Sequence, residues 1–166
     1  MALPRALAVA AIVGLLAGAT WFLTRPDDEG APIRQRLQSL ADAVNRSTMD
    51  GAGPQARAKE LAAYFTEDVD VELGGGAAPI RGRETLMGMA ERLQPRTAMF
   101  KLKFEDVTVA MSPGGDAADV HLAAEFIRRS MTSGEESLDA REFTISMRRV
   151  DNEWLIARVT AIDTLK

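Results

Sequence analysis

Three carboxylates at alternate positions, Asp68, Asp70 and Glu72, are the residues whose types first suggest chemistry, since such a cluster can hold a divalent cation or act as a general base. Alternation disperses them: in an extended segment Asp70 and Glu72 point away from Val69, Val71 and Leu73 and form a solvated face. Tyr64 is the one tyrosine, and its hydroxyl can orient a ligand or satisfy a backbone carbonyl near a helix end. Arg141 can bind an anionic head group or form a rim ion pair with Asp139. His121 is the one histidine and falls beside Ala123 on an outer strand face, as a surface or interface residue. Gly74-Gly75-Gly76 lacks the Lys-Ser/Thr ending of a phosphate loop and the spacing of a dinucleotide fingerprint, so it reads as a turn.

The missing residues narrow the chemistry further. Cysteine is absent, which removes disulfides, thiolate metal sites and a cysteine nucleophile. A single histidine leaves little for zinc or a histidine-based triad, and neither metal nor cofactor is expected. With 20 Lys and Arg against 24 Asp and Glu, the net charge of -4 repels phosphate backbones and argues against nucleic acid as a partner. The 166 residues suffice for one ordinary domain, and 46% apolar with 27% charged residues excludes a disordered chain or a many-span membrane protein.

Elements must position these groups, and the first segment is an address. After a basic start at Arg5, Ala6 to Leu23 is uncharged and apolar, about 27 Å long as a helix, close to the roughly 30 Å hydrocarbon core. Residues 1–23 are therefore expected to be a signal-anchor that contacts the membrane through 6–23, with Trp21 at the interface. The competing reading is a signal peptide cut after Ala19, leaving a secreted or periplasmic protein. Asp27, Asp28 and Glu29 outweigh Arg25 behind the run, so the rest of the chain should lie outside the cytoplasm of a bacterial-type membrane. Residues 24–30 read as a linker.

Residues 31–166 read as one α+β domain. Ile33, Leu37, Leu40, Ala41 and Val44 fall at helical spacing, predicting a helix over 32–46. A second helix is expected over 54–65, begun by Pro54, and a third over 83–93, ended by Pro95. Val69 to Leu73 alternates as a short strand. From Ala98 the period is two: strands are expected over 98–111, with a bulge at Glu105-Asp106, and over 118–131, 138–150 and 154–163. A hairpin turning between Ser133 and Gly134 would set Phe126 opposite Arg141, Arg128 opposite Asp139, Asp119 opposite Arg148 and His121 opposite Ser146. Helices first and an antiparallel meander last predict helices on one face of a curved antiparallel sheet.

Leu61-Ala-Ala-Tyr-Phe-Thr-Glu-Asp-Val-Asp-Val71, Ile80-Arg-Gly-Arg-Glu-Thr-Leu86 and Val150-Asp-Asn-Glu-Trp-Leu-Ile156 occur in an order that resembles the NTF2-like superfamily, in particular its SnoaL-like and ketosteroid-isomerase-like members. The resemblance covers roughly 31–166. It implies a cone of three helices on a bent sheet, here preceded by an apolar N-terminal helix. It also implies a deep pocket and commonly a homodimer through the outer sheet face. An isomerase of that kind needs an Asp base with a Tyr and a protonated Asp. The resemblance puts those positions at Leu73, near Leu40 and near Ile145, all aliphatic.

The expected function is accordingly a membrane-tethered module without catalysis that binds a small apolar ligand or serves in assembly. Tyr64, Leu73, Met87, Phe104, Phe126 and Arg141 are the expected ligand-binding residues, and no residue is expected to be catalytic. The methionines at 87, 89, 99 and 111 suit either an adaptable pocket or gap-filling in the core. The alternative is a SnoaL-like lyase, hydrolase or isomerase for a small hydrophobic substrate, using Tyr64, Arg141 or Asp139.

Overall fold

The computed structural model describes residues 28–46, 53–92, 98–130 and 132–162, with Ala98 and Met99 described by backbone alone. Helices α1 (Ala31–Arg46) and α2 (Pro54–Ala62) come first, then strands β1 (Phe65–Glu72) and β2 (Ile80–Arg81), helix α3 (Arg83–Arg92) and strands β3 (Ala98–Met111), β4 (Ala117–Ser130), β5 (Glu136–Val150) and β6 (Glu153–Ala161). The six strands form one sheet in the order β2-β1-β6-β5-β4-β3. The three helices and the meander are those expected. The expected apolar N-terminal helix lies outside the described residues.

The sheet is mixed, which corrects the expectation of an all-antiparallel one: β1 runs parallel to β6, pairing Phe65 with Ile156 and Val71 with Val159. The same pairing explains why α2 stops at Ala62 rather than at residue 65. Ala63 and Tyr64 donate from N–H to the carbonyls of Glu60 and Leu61, and the Tyr64 carbonyl then accepts from Ile156 N at 2.9 Å. Phe65 is thereby drawn into β1 although its apolar side chain continues the helical pattern.

Where turn chemistry is local, it appears as read. Asp151 and Asn152 both have positive φ, the geometry of a two-residue hairpin whose twist matches its strands. Asp106 also has positive φ, at the bulge where Glu105 pairs with Ala123 and Thr108 with His121. Gly74, Gly75 and Gly76 have φ of 69°, 62° and 79°, a run of left-handed conformations open to glycine and costly for other residues.

The β4–β5 hairpin departs from its expected register by two residues. Phe126 faces Asp139, Ala124 faces Arg141, Arg128 faces Ser137, Asp119 faces Ser146 and His121 faces Thr144. The turn is longer than two residues: Ser130 N donates to Glu135 O, and the Ser130 hydroxyl accepts from Thr132 N and Ser133 N. A shift of two preserves which face each side chain takes.

Helix α1 buries Ile33, Leu37, Leu40 and Ala41 against the concave sheet face, where Val120, Leu122, Ile145, Met147 and Ile156 are also buried. Two side chains fix it there. Arg36 donates to Ala63 O at 2.6 Å and Trp154 O at 3.2 Å, tying α1 to the end of α2 and to β6. Asn45 uses both ends of its amide on Leu102, accepting from its N at 2.7 Å and donating to its O at 3.0 Å. β3 is an edge strand, and the Asn45 amide occupies the backbone groups with which another strand would pair.

Candidate functional site

Period-two alternation makes the concave face of β3–β6 almost wholly apolar, and the helices do not fill the space above it. A cavity of about 190 Å³ remains, floored by Leu102 and Phe104 of β3, Leu122, Ala124 and Phe126 of β4, Phe143 and Ile145 of β5, and Ile156 and Val159 of β6. Leu40 of α1, Leu86 of α3 and Phe65, Val71 and Leu73 at β1 complete the wall. Every one of these residues is apolar. Leu73 and Phe126 are 42% and 40% exposed and form the lip, whereas the deeper residues Leu122, Ala124, Ile145 and Ile156 are buried.

Leu73, Phe104 and Phe126 thus line the cavity; Tyr64, Met87 and Arg141 do not. The Tyr64 hydroxyl donates to Ser39 O at 3.2 Å, and the Arg36 guanidinium lies 4.3 Å from its ring centroid. Its polar end therefore serves the α1 backbone. Arg141 is exposed and pairs with Asp139 at 3.4 Å. Sequence reasoning missed Leu86, Val71 and Val159 as wall residues, although their apolar type at an inward position is a sufficient signal once the sheet order is known.

The resemblance sets the base of an isomerase at Leu73, its tyrosine near Leu40 and its second acid near Ile145. Leu73, Leu40 and Ile145 all face the cavity, and all are aliphatic. No described wall residue can take up or release a proton, so the wall offers shape and apolar contact. Any polar group placed deep inside would lose its water without gaining a partner, at a cost of roughly 2–7 kcal/mol.

Charge sits instead on the outer face. Asp119, Ser146, Arg158 and Asp70 follow one another in register across β4, β5, β6 and β1, and with Asp68 and Arg148 they border an open cleft of about 520 Å³. Ser146 donates to Asp119 at 2.8 Å, and Arg148 donates to Asp68 at 2.5 Å. The Arg148 guanidinium, first among several causes, holds the Asp68 carboxyl below the usual carboxylate range. Asp70 has Arg81 and Arg158 each at 4.0 Å. The dispersal of Asp70 and Glu72 away from the core is as expected; Asp68 is exposed and pairs with Arg148, whereas Asp70 is mostly covered, with Arg81 and Arg158 beside it. Among the described residues no group of three histidines or acids could hold a metal ion.

Solved structures with this fold are numerous. Similar ones include the protein Aln2 from a Streptomyces species, 16% identical over 82% of this chain and 91% of that one with a TM-score of 0.67. A ketosteroid isomerase-like protein from Erwinia carotovora atroseptica is 20% identical over 83% and 99% of the two chains, with a TM-score of 0.60. An NTF2-like protein with a cystatin-like fold from Novosphingobium aromaticivorans is 16% identical over 90% of each chain, with a TM-score of 0.63. At these identities the likeness shows the fold alone. No curated protein sequence matches the chain at a significant level. The SnoaL-like domain family matches residues 48–160, most of the chain. The chain belongs to the SnoaL-like domain family of the NTF2-like superfamily.

Proposed function

We propose that this domain binds a small apolar ligand in its cone and performs no proton-transfer chemistry on it. The observation that carries this reading is the wall itself: all its described residues are apolar, among them Leu73, Leu40 and Ile145, at or near which the resemblance sets catalytic groups. The cavity volume is close to that of an apolar cavity of about 150 Å³ known to stay dry and bind benzene. A ligand of one or two rings, or a short acyl chain, matches it in size and polarity.

Toluene and naphthalene test this on the purified full chain. At tenfold excess over Kd, binding should raise Tm by about 4 °C. Ala124→Phe, which fills the floor, should abolish the rise, and Leu73→Trp at the exposed lip should reduce it without risk to the core. The reading fails if neither compound shifts Tm, or if a small hydrophobic substrate is turned over and a wall substitution stops the turnover. The lyase, hydrolase or isomerase alternative rests on the family fold. Its residues Tyr64, Arg141 and Asp139 do not converge in the cone.

Tethering belongs to the same proposal and rests on the sequence of residues 6–23, which lie outside the described residues. No described helix is long and apolar enough to cross a membrane. The described chain enters α1 at Gly30, whose backbone lies against Val109, seven residues along β3 from Leu102, the partner of Phe126. Recovery of the full chain in the soluble fraction of cells that express it, uncut at residue 19, would contradict the tether.

A further inference from the structure

From the arrangement at the lip we infer that the ligand is an anionic amphiphile, a carboxylate on an apolar body of roughly six to eight carbons. This rests on the reading of the cone as a binding site and specifies what it binds. The size follows from comparing the cavity of about 190 Å³ with the benzene-binding cavity of about 150 Å³.

The β4–β5 hairpin continues past the cavity, and its concave face changes character abruptly. Row by row toward the tip, the β4–β5 pairs on that face are Leu122 with Phe143, Ala124 with Arg141, Phe126 with Asp139 and Arg128 with Ser137. The first pair is wall. In the second, Ala124 is wall and Arg141, about 5 Å away between Cα atoms, is not. Phe126 at the lip is thus bracketed on one face by Arg141 and Arg128, with Asp139 as the acid beside them. Arg141 shares its charge with Asp139 at 3.4 Å and keeps a half-exposed guanidinium. Arg128 is exposed, and among the described residues no ion pair or hydrogen bond of its side chain is found.

Two guanidinium groups against one carboxylate leave a positive excess where a ligand's buried body meets water. A polar group cannot be carried deeper, because nothing in the wall would replace its water. An ionised head at the lip stays solvated on one side and accepts charge-assisted hydrogen bonds on the other, each about twice as strong as a neutral one. A carboxylate suits the planar guanidinium fork, and an ammonium head would meet like charge.

Isothermal titration of the full chain at neutral pH with octanoate, octan-1-ol and octylammonium separates the terms. Octanoate should bind at least fivefold more tightly than octanol, with octylammonium weakest. Arg128→Gln combined with Arg141→Gln should bring octanoate down to the level of octanol while leaving octanol unchanged. Both substitutions lie on exposed side chains, so the variant should fold, and Leu73→Trp should weaken all binding. If octanol equals or exceeds octanoate, or if the preference survives the double substitution, the head-group assignment is overturned while the apolar cavity stands. If none of the three binds, the cavity reading fails and this inference with it.

Discussion

Two adjacent rows of the same sheet face opposite ways. Asp119, Ser146, Arg158 and Asp70 run across the outer face of β4, β5, β6 and β1, while Val120, Ile145, Val159 and Val71, their immediate neighbours in sequence, run across the inner one. The outer row carries carboxylates, a hydroxyl and a guanidinium; the inner row carries nothing but aliphatic side chains. The protein is therefore not short of groups that can do chemistry. It keeps them on the face away from the cavity, where Arg148 pairs with Asp68 and Arg81 and Arg158 lie 4.0 Å from Asp70. A carboxyl group that donates a proton near neutrality needs burial or a neighbouring like charge to raise its pKa, whereas Asp68 is shifted the other way by Arg148.

The contrast is sharpest if a charge is moved from one row to the other. Ile145→Asp would place an unpaired carboxylate between Val120 and Val159 and should cost about 4 kcal/mol or more, read from the urea midpoint. Ser146→Asp, one residue along on the outer face, loses the hydrogen bond to Asp119 and sets like charge opposite it beside Arg158, and should cost about 1–2 kcal/mol, well below the Ile145→Asp loss. Comparable losses at the two sites would break the division. Next in size, Phe143→Ala removes wall and enlarges the cavity at a cost of about 3 kcal/mol. It should shift ligand preference toward larger apolar bodies in a thermal-shift series. Asn45→Ala frees both backbone groups of Leu102 on the edge strand and should cost about 1–2 kcal/mol, with faster hydrogen exchange at the Leu102 amide as its signature.

The smallest effect belongs to the outer face. Because the folded pKa of Asp68 lies below its unfolded value, its contribution is present above the ordinary carboxylate pKa of about 3.9 and is lost as pH falls through the lower folded value. Asp68→Asn should therefore lower Tm slightly at pH 6 and leave it unchanged near pH 2. A loss of equal size at both pH values would show that packing, and not charge, is responsible.

The parts legible in the sequence are those set by local geometry. Inner and outer faces of β3–β6 follow from period two, so Leu122, Phe126, Phe143 and Ile145 could be placed on one face before the fold was known. The Asp151-Asn152 turn and the bulge at Asp106 are likewise written in residues that tolerate positive φ. What could not be read depends on partners distant in the chain. The parallel pairing of β1 with β6 decides that Phe65 is strand and not helix, and no nearby residue announces it. The hairpin register escaped because the Ser130 hydroxyl organises a longer turn than the Ser133-Gly134 pair suggests. Since the error was an even number, the faces survived it and the opposing pairs did not. Within the cavity, Leu73, Phe104 and Phe126 were legible as apolar inward positions. The tyrosine and Arg141 were not excluded by type, because only the fold shows that Ser39 and Asp139 already hold them.

Methyl-resolved NMR during a naphthalene titration addresses the cavity most directly. The account predicts saturable shifts at the methyls of Leu122, Ile145 and Val159 inside the cone, with the Ala157 methyl in the outer cleft unmoved. Unmoved wall methyls, or shifts confined to Ala157, would contradict it.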